Sequence, residues 1–199
     1  MTETILTPEG HDAPHAFTRA QLDWLPWLEP LPEEGLTQAQ MTALVDPARA
    51  KSAYFRLLLR DADALEARTR TDKDIFYNTD AGLPRAEREL AAAAVSRFNG
   101  CIYCASVHAR FAATYSKREA DVERLLAEGV AADLGERWNA IVAASVAIAE
   151  TPSRFGAEHI ARLREAGLDD LAISDLIHAA SFFNWANRLM LSLGEPALP

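Results

Sequence analysis

The sequence predicts an all-α protein. From Pro47 onward, nearly every segment is built of Ala, Leu, Glu and Arg, with apolar residues recurring at helical spacing. Gly, Pro and Asn-Gly breaks divide these segments into lengths typical of globular helices. No run alternates apolar and polar residues in the manner of a half-buried strand.

The chain begins with an arm. Five of its ten prolines precede Glu33, with Gly10, His11 and His15 among them, so this segment is expected to travel over the surface. Two capping boxes, Thr18-x-x-Gln21 and Thr37-x-x-Gln40, each predict the start of a short helix. Trp24, Trp27 and Leu28 predict an arm packed on its own body, and His11 and His15 have no partner in view. "PARAKSAYFRLLLRD" and "ADALEARTRTDKDIFYN" follow as helices. Pro84 opens the next one at its first turn, and Asn99-Gly100 closes it. Further helices are predicted from Cys104 to about Tyr115, Lys117 to Gly129, Leu134 to Ala149, up to Gly167, and Ile173 to Leu193 before Gly194. The division this suggests is an arm with extension helices over residues 1–80 and a helical core over 81–199.

Composition narrows the function. At 199 residues and 49% hydrophobic, the chain can bury roughly 70% of its unfolded surface without a disulfide. A net charge of −9 argues against nucleic acid and anionic lipid as partners. "MTETILTPEG" has neither the basic nor the apolar part of a secretory signal, and no apolar stretch approaches the roughly 20 residues of a membrane span. A cytoplasmic location is the expectation. In a reducing compartment, two cysteines three apart read as catalytic, redox or metal-binding.

Those cysteines belong to a helical stripe. Cys101, Cys104, His108, Phe111, Ala112 and Tyr115 share one face, and the Asn-Gly break puts both sulfurs at the start of the helix. Unpaired N–H groups there favour a thiolate, the nucleophilic form, and His108 lies one turn beyond Cys104 to exchange its proton. The preceding "LAAAAVS" carries no charge and is expected to be buried all round. A hairpin about Asn99-Gly100 would return Glu89 to the Cys-His face, where a carboxylate can orient the imidazole or relay its proton. A zinc site is the chemical alternative, with Cys101, Cys104 and His108 as ligands and His159 or His178 as the fourth. Covalent haem is excluded because Ala105 follows Cys104, and a thioredoxin-type site would need a strand before the motif. Asn184, Trp185, Asn187 and Arg188 read as a hydrogen-bond cluster closing the bundle, and His178 as a core or interface histidine.

Residues 88–109, "RELAAAAVSRFNGCIYCASVHA", resemble the AhpD-like, carboxymuconolactone decarboxylase-related family. That core reads as an acid and Leu, a small apolar helix, then N-x-C-x-Y-C-x-x-x-H. The resemblance implies an AhpD-like helical bundle with a helical N-terminal extension, as in longer peroxidase-related members. It also implies an obligate homo-oligomer (dimer, trimer or hexamer) and cofactor-free, metal-free thiol chemistry. In the family pattern, Cys104 attacks a hydroperoxide, Cys101 resolves the sulfenic acid, and His108 and Glu89 handle protons. A thiol or lipoyl-type carrier would supply electrons. Tyr103 stands where some alkylhydroperoxidases have a second histidine. Two other functions fit the same fold: a non-catalytic redox sensor or scaffold, and a decarboxylase-like enzyme that does not use the sulfurs.

Overall fold

A computed structural model describes residues 5–199. Among them the chain forms nine α-helices: α1 (Gln38–Ala43), α2 (Ala53–Leu58), α3 (Ala62–Tyr77), α4 (Arg85–Phe98), α5 (Ile102–Ser116), α6 (Glu119–Glu128), α7 (Glu136–Ala149), α8 (Ala157–Glu165) and α9 (Asp170–Leu193). The expected all-α class is the observed one. A single two-stranded ribbon, β1 (Asp23–Pro26) with β2 (Gly194–Ala197), is added to it.

Helix α4 is the axis of the bundle. Leu90, Ala91, Ala92, Ala93, Ala94 and Val95 are all fully buried. Four consecutive alanines have no bulk on any side, so α5, α7 and α9 all pack closely against α4. The α4–α5 hairpin closes as the Asn-Gly signal predicts. Gly100 adopts a left-handed φ of +80°, and the Cys101 N–H reaches back to the Ser96 carbonyl at 2.9 Å, the long bond of a Schellman turn. Cys101 therefore caps the N-terminus of α5, and Cys104 lies in its first turn.

The arm packs on its own body. Trp24 sets its edge against Tyr54 of α2 at 5.3 Å between centroids, and the Trp27 N–H donates to the Leu193 carbonyl at 2.8 Å. Two expectations for this region fail. Thr37 and Gln40 form the full capping box of α1, but no helix starts at Thr18. There the hydroxyl accepts the Ala20 N–H at 3.0 Å, a local turn that competes with helix nucleation and leads the chain toward β1. β1 then pairs antiparallel with β2, Trp24 opposite Pro196. "DWLP" and "GEPA" carry prolines and no alternation, so the pairing comes from tertiary docking alone. His11 also gains a partner, with Nε2 3.3 Å from Glu195 of β2. No helix among the described residues is long and apolar enough to cross a membrane.

Candidate active site at the α4–α5 hairpin

Antiparallel packing of α4 on α5 brings Glu89 to His108. The carboxylate is 1% exposed and is held from two sides. One oxygen lies 2.7 Å from His108 Nδ1, and the other accepts from Arg85 Nε at 3.1 Å. An ionised carboxylate can only accept, so the bonded imidazole nitrogen is the one that carries hydrogen. Nε2 is thereby left as the nitrogen available for proton exchange. The ring is fixed by Phe183, 3.9 Å away between centroids, and Phe76 at 5.2 Å. Arg85 in turn lies over Tyr77 and Tyr115, at 4.1 and 4.3 Å from their centroids.

Both cysteines are free thiols and both are buried. The Cys104 thiol donates to the Cys101 sulfur, and this bond holds Cys101 below its ordinary pKa against the opposing effect of burial. The same bond, with burial and repulsion from a Cys101 thiolate, pushes Cys104 well above its own. The reduced pair therefore loses its first proton as a unit, with Cys101 the sulfur favoured to carry the charge. Asn187 of α9 and the Arg68 guanidinium act the other way on Cys104, favouring its ionised form.

Asn187 ties the sulfur to the hairpin. Fully buried, it donates to Ser96 Oγ at 3.0 Å and accepts from Asn99 Nδ2 at 3.1 Å, while Asn99 also bonds Asn184 at 3.0 Å. The polar cluster read from the sequence exists, and part of it reaches Cys104. Arg188 and Trp185 of that segment are exposed.

Cys104, His108 and Glu89 border a cavity of about 200 Å³. Its near wall is α5 and α9, and its far wall is α2 and α3, through Tyr54, Phe55, Arg68 and Phe76. Helices α2 and α3 thus complete the site. Tyr103 borders the cavity too, and burial raises its pKa.

The four residues singled out in the sequence come together: Glu89 with His108 by direct contact, and Cys101 with Cys104 across one bond. His159 and His178 do not join them. His159 accepts the Gly156 N–H at 3.2 Å and caps α8, while His178, expected in the core or an interface, is exposed on α9 beside Arg88 and Asp175. No three metal-binding side chains cluster among the described residues. Sequence reasoning missed Arg85, Arg68 and the reach of Asn187. Arg85 had a signal, lying four residues before Glu89 on one helix face; Arg68 had none.

Residues 62–147 match the model of the carboxymuconolactone decarboxylase family. This stretch, 86 of the chain's 199 residues, is similar to that family. The matched segment runs from α3 into α7 and contains Arg68, Glu89, Cys101, Cys104 and His108. Helix α9, with Asn187 and Phe183, lies beyond it. Solved structures share the fold. An AhpD-core, uncharacterised peroxidase-related protein of Ralstonia eutropha JMP134 is 22% identical, with a TM-score of 0.69 over 82% of this chain and 88% of that one. A peroxidase-related protein of Silicibacter sp. TM1040 is 21% identical, with a TM-score of 0.66 over 96% and 95%. The debrominase Bmp8 is 18% identical, with a TM-score of 0.62 over 82% and 88%. A cysteine-to-alanine variant of Bmp8 was solved with 2,3,4-tribromopyrrole. No curated protein matches the chain in sequence. These structural likenesses establish the AhpD-like fold.

Proposed function

We propose that this protein is a thiol peroxidase that reduces organic hydroperoxides through a Cys101–Cys104 dithiol/disulfide cycle. One observation carries the reading: a free cysteine and a histidine locked to a buried carboxylate at 2.7 Å border the same cavity. Cys104 is the attacking sulfur because it borders the cavity. Cys101, which loses its proton more readily than Cys104, is the internal base that takes the Cys104 proton as the attack begins.

The Cys104 thiolate then displaces the O–O bond of R–O–O–H. It becomes Cys104–S–OH, and the released alkoxide takes a proton from His108 Nε2 to leave as ROH. The Cys101 thiol attacks the sulfenic sulfur, giving the disulfide and one water. Two electrons pass from the thiol pair to the peroxide. Three hydrogens, from the pair, the imidazolium and the peroxide, end in one alcohol and one water. Glu89 holds Nδ1 so that Nε2 faces the alkoxide, and the proton released when the disulfide is reduced again restores the imidazolium. A dithiol carrier of the lipoyl class, oxidised to its own disulfide, regenerates the pair by exchange.

Stopped-flow peroxide consumption with a dithiol donor tests this on the parent, Cys104→Ser and Cys101→Ser proteins. Cys104→Ser is expected to lose turnover and sulfenic-acid trapping. Cys101→Ser is expected to undergo the first oxidation and accumulate the sulfenic acid. Peroxide consumption by Cys104→Ser at the parent rate would refute the mechanism.

A further inference from the structure

We propose that Arg68 is a binding residue for a carboxylate on the substrate, so that the peroxide reduced is that of a small organic acid; this rests on the peroxidase reading. The Arg68 side chain is 9% exposed and borders the cavity that holds Cys104 and His108. Its Nε and Nη1 are buried and meet no hydrogen-bond partner among the described residues. Asp72 is the acid beside it, 3.6 Å from Nη1, beyond hydrogen-bonding contact, and the same carboxylate also faces Arg49 at 3.7 Å. Buried donors without acceptors are rare because their lost hydration is not replaced, so this guanidinium requires an acceptor from outside the chain.

Charge and shape specify that acceptor. Arg68 is the arginine that lines the cavity, and the acid beside it, Asp72, is shared with Arg49, which leaves the guanidinium only partly neutralised. A single carboxylate balances it, whereas a phosphate dianion overshoots. The guanidinium is also held in place, with Phe55 and Phe182 at 5.6 and 5.3 Å from its centre. A planar fork already fixed in this way suits a planar carboxylate and loses little freedom on binding. The cavity, about 200 Å³, is below the roughly 300 Å³ at which pockets for drug-sized ligands begin, which limits the body to one ring or a short chain. Phe76 and Phe183 offer that body apolar walls beside the histidine. The occupant is therefore an apolar, single-ring or short-chain acid with its hydroperoxide at the Cys104 end.

Two measurements test the assignment, with para-carboxycumene hydroperoxide and its methyl ester as substrates and para-isopropylbenzoate as a ligand without a peroxide. The parent protein is expected to favour the acid over the ester by roughly ten- to a hundredfold in kcat/KM, the range of a charge-assisted hydrogen bond. In Arg68→Gln the ratio falls to about one, whatever that variant does to each rate singly. In calorimetry, para-isopropylbenzoate binds the parent and weakens by at least tenfold in Arg68→Gln. Arg68→Lys, which keeps the charge and loses the fork, gives an intermediate affinity and a thermal melt like the parent's. Equal binding of para-isopropylbenzoate to parent and Arg68→Gln overturns the carboxylate site, as does an acid-to-ester ratio near one in the parent. Arg68-dependent binding of para-isopropylbenzoate with no reduction of either hydroperoxide upholds the site and overturns the peroxidase reading instead.

Discussion

Replacing Glu89 with Gln separates the shape of the carboxylate from its charge. The parent carboxylate accepts from Arg85 at 3.1 Å and from His108 at 2.7 Å while 1% exposed. An amide has one acceptor oxygen, so only one of these bonds survives as it was. If the oxygen stays with Arg85, the amide NH2 faces Nδ1 and forces hydrogen onto Nε2, the nitrogen proposed to exchange protons at the cavity. If the oxygen stays with His108, Arg85 faces an NH2 group. Losing the charge from two charge-assisted bonds costs about 2–4 kcal/mol, less than removing one partner of a fully buried pair because Arg85 is partly solvated. In a chain of this length that lowers Tm by roughly 5–15 °C. Turnover of the hydroperoxide is expected to fall by about 10²- to 10⁴-fold, the usual contribution of a positioned acid–base group. Calorimetric melting and stopped-flow turnover, run on the same preparation, read the two effects. Parent-like turnover in Glu89→Gln would remove the Glu89–His108 pair from the mechanism, even if the melt fell as expected.

Three further outcomes follow from the geometry. Titrating thiolate absorbance should move the two sulfurs in opposite directions: Cys104→Ala raises the Cys101 pKa by removing its donor, and Cys101→Ala lowers that of Cys104 by removing the acceptor and its charge. Shifts of the same sign in both variants would contradict a shared proton. Asn187→Ala removes a bond that favours the Cys104 thiolate, so the alkaline rise of the peroxide rate should move to higher pH, and losing its bonds to Ser96 and Asn99, each of which keeps one other partner, should cost about 1–2 kcal/mol in urea unfolding. At Gly194 a Cβ would meet the Leu25 carbonyl and the Trp24 ring. Gly194→Ala should therefore loosen the arm, seen as faster proteolysis before Glu33, and destabilise by about 1–3 kcal/mol.

The sequence by itself determined the helical core and the four residues at its centre. Both are local signals: Asn99-Gly100 stops a helix because only Gly tolerates the left-handed turn, and Cys101, Cys104 and His108 share a face because 3.6 residues make a turn. Even Glu89 was legible, because a hairpin with a known turn and a small-residue interface leaves α4 one way to return. What the tertiary structure alone decided lies further apart in the chain. The β1–β2 ribbon joins segments some 170 residues apart and exists because Gly194 allows a backbone to pass where a side chain would collide. Thr18 carries the same capping-box spacing as Thr37, yet it turns the chain toward that ribbon instead of starting a helix. Asn187 looked like a structural amide until α9 crossed α4 beside Cys104. Arg68 carries no signal in the chain, and only the packing of α2, α3 and α9 sets it against a cavity. Charge and burial at a site are sums over every neighbour, and no local pattern in the chain records which neighbours those will be.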